Sequence, residues 1–240
     1  MELSRRTFVS TLLACACPST VSLFAQTTLA HALSKEERDR LSPDQVLDEL
    51  KKGNERFRSG RTLSRDYRRQ QLATAGGQYP AAAMLGCIDS RGPAELIFDT
   101  GIGDIFNARV AGNIVTDELL GSLEFACAVA GAKVLVLFGH TACGAIKGAI
   151  DNVEMGNLTA LLAHIKPAIT ATAFSGEKSS KNAAYVDAVS RTNVLLGLDR
   201  IRRQSPLLSD LESKGSLKIV GGMYDLSTGS VEFFSERSQN

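Results

Sequence analysis

Beyond residue 80, short and almost wholly apolar runs alternate with longer segments of helical periodicity. The apolar runs predict strands over residues 81–87, 104–110, 133–139 and 217–226. Runs such as VLVLF (134–138) lack polar alternation, which is typical of strands covered on both faces. An amphipathic helical pattern covers residues 116–132. The sequence therefore predicts an α/β fold, a mostly parallel central sheet flanked by helices.

The residues before the sheet predict an amino-terminal helical arm. Ser42 is a typical N-cap, Pro43 takes the first helical position, and apolar residues recur at helical spacing, so a helix is expected over 43–58. A second, polar helix is expected within 65–76. Residues 156–214 are mostly helical in pattern. The sequence contains no internal repeat and no low-complexity linker, so a second domain is not required.

The amino terminus has the features of an export signal. Arg5 and Arg6 precede a mostly apolar, uncharged stretch, an arrangement that resembles twin-arginine signals. Pro18 and scattered polar residues interrupt that stretch, so it is too short to span a membrane. We expect a signal peptide over residues 1–32.

The remaining residues, 33–240, are then one exported domain. Small residues around Ala32 favour cleavage there, which predicts a periplasmic protein with no stable membrane insertion after cleavage. Lipid attachment at Cys15 is the alternative.

The overall charge argues against polyanionic partners. Lys and Arg number 27 and Asp and Glu number 26, so the net charge is close to zero. Nucleic acid and anionic membrane surfaces are therefore not expected partners.

Cysteine usage favours a metal site over a disulfide framework. Once residues 1–32 are removed, Cys87, Cys127 and Cys143 remain. An odd number in an exported protein fits a metal site plus one buried thiol. Cys127 lies within an apolar helical pattern and is expected to pack in the core.

The other two cysteines and a histidine lie at predicted strand ends. Cys87 ends one strand, and His140 and Cys143 follow another. Ligands gather at the carboxyl edge of open parallel sheets, so these side chains converge if the two strands are neighbours. Two thiolates and one imidazole suit Zn²⁺ and leave its fourth position open, as in catalytic sites. The alternative is two buried apolar thiols and a hydrogen-bonded core histidine.

Two charged residues follow Cys87 at alternating positions. If the backbone stays extended, Asp89 and Arg91 point to the same side as Cys87, and the guanidinium can clamp the carboxylate. A clamped carboxylate accepts hydrogen bonds only, so it selects a metal-bound species that donates one. A surface salt bridge is the alternative.

The segments that carry these residues resemble a known family. CIDSR (87–91) and GHTACGAI (139–146) are similar to the signature of the β-class carbonic anhydrases, of the plant-like branch. The segments 92–115 and 221–234 also resemble the family, and the likeness covers most of residues 40–236.

The resemblance implies a role for each matching residue. Cys87, His140 and Cys143 would hold one Zn²⁺ per chain. Asp89 and Arg91 would form a gating dyad, with Asp89 as a fourth ligand in a closed state. Four further positions would bind substrate: Gln78 as a donor, Phe106 and Ala111 as pocket lining, and Gly112 as close backbone beside the metal.

The implied activity is reversible hydration of CO₂ to bicarbonate and a proton by a zinc-bound hydroxide. A homodimer or a tetramer is implied, with the helix at 43–58 embracing the partner. Two alternatives keep the metal site: a hydrolase of CS₂ or COS, and a non-catalytic zinc-stabilised binding or scaffold protein.

Some positions depart from the family or stay open. Asn107 replaces a common apolar residue. Met84 replaces the tryptophan of a regulatory bicarbonate site whose arginine matches Arg109, so regulation of that type should be weak or absent. His164 is either a proton shuttle or a polar position on a helix.

Overall fold

A computed structural model of the chain describes residues 31–234. The export signal predicted over residues 1–32 therefore lies almost wholly outside the described residues. Within them, no helix is both long and apolar enough to cross a membrane.

The strands of residues 31–234 form one five-stranded sheet in the order β2-β1-β3-β4-β5. They are β1 (Ala82–Gly86), β2 (Ile105–Arg109), β3 (Val134–His140), β4 (Lys218–Tyr224) and β5 (Val231–Phe233). β1 runs parallel to β2 and β3, β3 runs parallel to β4, and β5 is antiparallel to β4. The predicted α/β class, the mostly parallel sheet and the four predicted strands are confirmed.

Ten α-helices occupy most of the remaining described chain. They are α1 (Lys35–Arg40), α2 (Pro43–Arg58), α3 (Tyr67–Thr74), α4 (Ala94–Ile97), α5 (Asp117–Glu124), α6 (Gly144–Ile150), α7 (Gly156–Ala163), α8 (Lys166–Ala171), α9 (Ala183–Gln204) and α10 (Pro206–Ser213). α2 has the predicted bounds, because Ser42 and Gln45 form a capping box and Pro43 starts the helix. The helix predicted over 116–132 ends as an α-helix at Glu124 and continues as a π-helical turn over Phe125–Val129.

Both faces of the three central strands, β1, β3 and β4, are buried, as their unbroken apolar runs predicted, whereas the edge strand β2 is half-buried. Side chains of α5, α9 and α10 pack against one face, which includes Leu135 and Leu137. Side chains of α2 and α4 pack against the other, which includes Val134 and Val136. Cys127 is buried in the first layer, and burial raises the pKa of its thiol to about 12. Its predicted place in the core is confirmed.

The amino-terminal helices are fixed to their own chain. The apolar face of α2 packs on the sheet, and Asp99, in the turn after α4, binds α2 through Arg56, whose Nε donates to Oδ2 at 2.5 Å. Arg65 also donates to Asp99. Burial of this carboxyl raises its pKa, but the hydrogen bonds from Arg56 and Arg65 outweigh that effect, so the pKa of Asp99 lies below its ordinary value. The contact of this arm with a partner subunit stays a prediction.

Candidate metal centre

Two neighbouring strands bring Cys87, His140 and Cys143 together. Cys87 directly follows β1, His140 is the last residue of β3, and Cys143 is the N-cap of α6. Since β1 and β3 are adjacent and parallel, all three side chains lie at one carboxyl edge of the sheet. Their candidate ligand atoms are buried and lie within 4.8 Å of one another.

The imidazole of His140 is oriented for a ligand. Its Nδ1 lies 2.9 Å from the carbonyl oxygen of Thr141, an arrangement that fixes the proton on Nδ1. Nε2 is buried and has no hydrogen-bond partner among the described residues. A buried polar atom without a partner is costly, and a metal ion on the Nε2 lone pair removes that cost.

The spacing of the triad also fits a metal ion. A tetrahedral zinc holds two thiolate sulfurs roughly 3.8 Å apart, since each lies about 2.3 Å from the metal. That separation is within the 4.8 Å that bounds the three ligand atoms. The residues present therefore match a divalent ion that prefers sulfur and nitrogen ligands.

The two thiols of the centre strongly perturb each other's pKa. A hydrogen bond from Cys143 lowers the pKa of Cys87, and the backbone N–H of Gly112 adds to this effect. The same contact with Cys87 raises the pKa of Cys143, although the N–H groups at the start of α6 act in the opposite direction. The thiol of Cys87 therefore loses its proton more easily than that of Cys143, and a cation held by the two sulfurs would take the place of the remaining proton.

Gly112 holds the backbone against Cys87. It lies in the short 3₁₀ turn Ala111–Asn113 with φ +68°, and its N–H donates to Cys87 Sγ at 3.3 Å. Its carbonyl accepts from Asn193 Nδ2 at 2.9 Å. A β-carbon at this position would lie 2.7 Å from Ile165 Cδ1, so glycine is needed both for the backbone angle and for the space. Ala111 opens the same turn and is half-buried.

Arg91 binds the carboxylate of Asp89, but the backbone between them forms a turn rather than an extended segment. The backbone does not stay extended through Arg91, because the N–H of Gly92 donates to the Asp89 carbonyl at 2.9 Å and closes a turn. The turn carries Arg91 back onto the carboxylate, where its own N–H donates to Asp89 Oδ1 at 3.0 Å. The guanidinium binds both oxygens, Nε to Oδ1 at 2.8 Å and Nη2 to Oδ2 at 2.7 Å.

Asp89 consequently lies beside the triad as an ionised group. Its Oδ2 is 3.9 Å from His140 Nε2. The hydrogen bonds from Arg91 keep the pKa of Asp89 well below its usual range, although partial burial acts against them. The carboxylate thus faces the candidate metal position as a hydrogen-bond acceptor.

Sequence reasoning missed the side chains that brace the two ligand loops. Arg109 donates from Nε to the carbonyl of Cys87 at 2.9 Å and from Nη2 to that of Asp89 at 2.5 Å. On the other loop, Asp187 accepts from the N–H of Ala142 at 2.9 Å, and Ser190 donates to the carbonyl of His140 at 3.2 Å. The role of Arg109 had a sequence signal, because it is a charged residue at the end of a predicted strand. Asp187 and Ser190 lie in α9, and nothing in the sequence of that helix marks them as bracing residues.

Two predicted substrate residues do not reach this centre within one chain. Gln78 is exposed and precedes β1, so it lies at the amino edge of the sheet, opposite Cys87. Phe106 lies on the edge strand β2, pairs with Ala83 of β1 and packs edge-to-face on Phe125, with ring centroids 6.2 Å apart. Phe125 is half exposed, and sequence reasoning did not single it out.

Two further positions have clear surroundings. Asn107 donates to Glu95 Oε2 at 2.8 Å, so it is tied to α4. His164 is exposed directly after α7.

Fold and centre together define a class of protein: an open α/β protein with a buried Cys-His-Cys metal-binding triad and a clamped carboxylate at the carboxyl edge of its parallel strands. Within this class, the chain is similar to proteins of one family.

The family model for carbonic anhydrase matches residues 82–231. The chain is 35% identical over 185 residues to carbonic anhydrase 2 of Mycobacterium tuberculosis, which covers 75% of this chain and 87% of that protein. It is 32% identical over 170 residues to the carbonic anhydrase of Pseudomonas aeruginosa, covering 68% of this chain and 76% of that protein. A tetrameric beta-carbonic anhydrase from Sordaria macrospora superposes with a TM-score of 0.61 at 26% identity, over 69% of this chain and 85% of that one. The chain therefore belongs to the carbonic anhydrase family, in its β class.

Proposed function

We propose that this protein catalyses the reversible hydration of CO₂ to bicarbonate and a proton, with one Zn²⁺ held by Cys87, His140 and Cys143. The observation that carries the proposal is the unpartnered Nε2 of His140, buried between two thiols and 3.9 Å from a carboxylate clamped by arginine. Membership of the carbonic anhydrase family supports the reaction.

The donor set favours zinc among the common divalent ions. Thiolate and imidazole suit Zn²⁺, whereas Mg²⁺ and Ca²⁺ prefer oxygen ligands. When bound, Zn²⁺ supplies Lewis-acid chemistry that lowers the pKa of a coordinated water from 15.7 toward about 7.

Asp89 orients the reacting water. As an ionised carboxylate it only accepts hydrogen bonds, so it accepts one from the water and directs a lone pair of that oxygen at CO₂. Arg91 keeps Asp89 ionised and holds both of its oxygens. If Arg91 releases it, Asp89 is near enough to become a fourth ligand and close the site.

The bracing residues keep this arrangement fixed. Gly112 donates its N–H to the Sγ of Cys87, and Arg109 donates to the carbonyl oxygens of Cys87 and Asp89, so both hold the loop that carries these two residues. Reacting groups must be held to within a fraction of an ångström for efficient catalysis, so these contacts act as positioning interactions.

The substrate roles of Gln78 and Phe106 require a second copy of the chain. Both residues lie away from the carboxyl edge that carries Cys87, so they serve a site only if another subunit presents its own metal centre to them. The Sordaria macrospora proteins are tetrameric, which supports assembly in this family. We propose a dimer or a tetramer whose active sites combine residues of two chains.

A complementation experiment tests this sharing. Chains carrying Gln78→Ala and chains carrying His140→Gln are each expected to be nearly inactive alone. In a mixed dimer, the intact metal centre of the first chain meets the intact Gln78 of the second, so part of the wild-type turnover returns. If Gln78 serves its own chain, mixing restores nothing.

The proposal also includes export of the mature domain, 33–240, to the periplasm after removal of residues 1–32. Fractionation of cells expressing the full chain, and again with Arg5 and Arg6 both changed to Lys, measures this directly. Export that persists in the double-lysine variant excludes the twin-arginine route.

Stopped-flow CO₂ hydration by the zinc-loaded protein is the central test. Turnover above the buffer rate that disappears in His140→Gln supports the proposal. Assays with CS₂ and COS under the same conditions distinguish the alternative hydrolase. A protein that binds zinc and gains thermal stability, yet converts none of the three substrates, is a zinc-stabilised scaffold.

A further inference from the structure

A cavity lies away from the metal triad, between the segment after Gly112, α8 and α9. Its volume is about 190 Å³, and Asn113, His164, Asn193, Arg200 and Arg203 supply its polar lining. At about 30 Å³ per water, it has room for roughly six waters or for a three-oxygen anion with some water. We refer to it as the Asn113 cavity.

Asn113 is the most unusual side chain of this cavity. The residue is 1% exposed, and neither Oδ1 nor Nδ2 has a hydrogen-bond partner among the described residues. Its φ of +41° is a conformation that asparagine tolerates better than most residues. An unpaired buried amide costs free energy, so this one calls for an occupant that both accepts and donates a hydrogen bond.

The charge of the lining indicates the sign of that occupant. Arg200 and Arg203 line the cavity, and none of the carboxylates in the described part of the chain does. Arg203 forms no ion pair within residues 31–234, and the only one of Arg200 is a 3.4 Å contact with Asp117, whose side chain is 88% exposed. Such an exposed contact is weak, and Arg200 also donates from Nε to Gln204 Oε1 at 2.6 Å, which leaves its charge uncompensated, so both guanidinium groups can attract an anion.

We propose that the Asn113 cavity binds a small oxyanion that carries a proton, and that its ligand is hydrogencarbonate. An H–O–C=O edge pairs with the primary amide, because Nδ2 donates to the carbonyl oxygen and Oδ1 accepts from the hydroxyl. The remaining charged oxygen faces the arginines, which bind such groups well. The choice of hydrogencarbonate rests on the proposed function, of which it is the product. Dihydrogenphosphate has the same donor and acceptor chemistry, whereas nitrate and acetate only accept.

The cavity is separate from the metal centre but is connected to it through Asn193 and Gly112. Asn193 lines the cavity and donates to the carbonyl of Gly112, whose N–H donates to Cys87 Sγ. A change at Asn193 can therefore disturb the triad indirectly. Arg203, which is exposed, is the safer position for a test variant.

The test uses the zinc-loaded wild-type protein, crystals soaked in sodium hydrogencarbonate, and titration calorimetry. We expect a planar three-oxygen anion paired with Asn113 and facing Arg203. Because a hydrogen bond to a charged group is worth about 1.5–3 kcal/mol, Arg203→Gln should weaken binding at this site about ten-fold or more. Arg61→Gln removes the same charge from an exposed position outside the cavity and should leave binding unchanged.

The remaining arms decide what occupies the cavity. Asn113→Asp, which removes the donor and adds a negative charge, should abolish the anion density while zinc content stays at one per chain. Water alone in the wild-type cavity overturns the proposal, as does nitrate binding as tightly as hydrogencarbonate. Phosphate density without hydrogencarbonate density overturns the assigned ligand. The electron density is read in the cavity itself, so the outcome for anion binding is independent of the outcome for CO₂ hydration. A protein without CO₂ hydration activity can still bind the anion there, and an active enzyme can still lack it.

Discussion

Replacing Gly112 by alanine tests how tightly the backbone beside Cys87 is constrained. An added β-carbon would lie 2.7 Å from Ile165 Cδ1 and 3.3 Å from Ala145 Cβ. The left-handed backbone costs an L-residue about 1–2 kcal/mol, and overfilling a packed core adds about 1–3 kcal/mol. Ile165 is fully buried and has little room to retreat. We expect the free energy of unfolding to fall by about 2–5 kcal/mol.

Thermal unfolding of the zinc-loaded protein measures this loss. For a domain of this size, each kcal/mol shifts Tm by about 2–4 °C, so a fall of about 4–20 °C is expected. Gly121→Ala is the matched control, because Gly121 lies in α5 and, apart from its chain neighbours and its own helix backbone, no atom of residues 31–234 lies within 4 Å of its added β-carbon. The control should keep or raise the Tm, since alanine favours helix. A wild-type Tm for Gly112→Ala would refute the reasoning.

A second substitution separates the two costs. Valine lacks the Cδ1 atom that crowds the new methyl group, so Ile165→Val in the Gly112→Ala background should recover the crowding part of the loss. The backbone strain remains, and recovery should therefore be partial. Purely additive losses in the double variant would contradict the assigned contact, because residues in contact show interaction energies in double-mutant cycles.

Three further predictions follow from the centre and from the amino-terminal helices. Arg91→Ala should retain zinc but lose about a hundred-fold or more of kcat, with Arg91→Lys intermediate because it keeps the charge without the bidentate contact; unchanged turnover in stopped-flow assays would exclude the role of the dyad. Chelation of the metal should lower the Tm, and added Zn²⁺ should restore it. At a free Zn²⁺ concentration a thousand times its Kd, the gain in the free energy of unfolding is about 4 kcal/mol. The Tm of His140→Gln should not respond to Zn²⁺. Asp99→Asn should cost about 3 kcal/mol at neutral pH because two arginines lose their carboxylate. Because the pKa of Asp99 is lowered in the folded state, its stabilisation is complete above the unfolded pKa of about 3.9 and is lost as the pH falls through the folded pKa. Denaturant titrations should therefore show the difference in unfolding free energy between wild type and Asp99→Asn shrinking in acid.

Much of the fold could be predicted because local patterns determine it. The strand of His140 is apolar on both faces, so its burial and its parallel neighbours followed from composition alone. The helix that begins at Pro43 has its start signal and cap within two residues. The metal triad followed from the same logic, because its members stand directly at strand ends.

Contacts between distant segments could not be predicted in this way. Asp187 and Ser190 brace the loop of His140 from about 50 positions further along the chain, and nothing in their local sequence marks them. The turn at Asp89 had a weak local signal, since aspartate often accepts from the backbone two residues on, and the alternating pattern concealed it.

The separation of Gln78 from Cys87 is the most instructive case, because the sequence already contained it. The two positions are nine residues apart and flank the five-residue strand Ala82–Gly86. Whatever precedes a strand lies at its amino edge and whatever follows it lies at its carboxyl edge, so the two side chains are separated by the strand length, about 16 Å at 3.3 Å per residue. A glutamine side chain cannot span that distance. A substrate site that uses both residues must therefore be built from two chains, and assembly becomes part of the catalytic hypothesis.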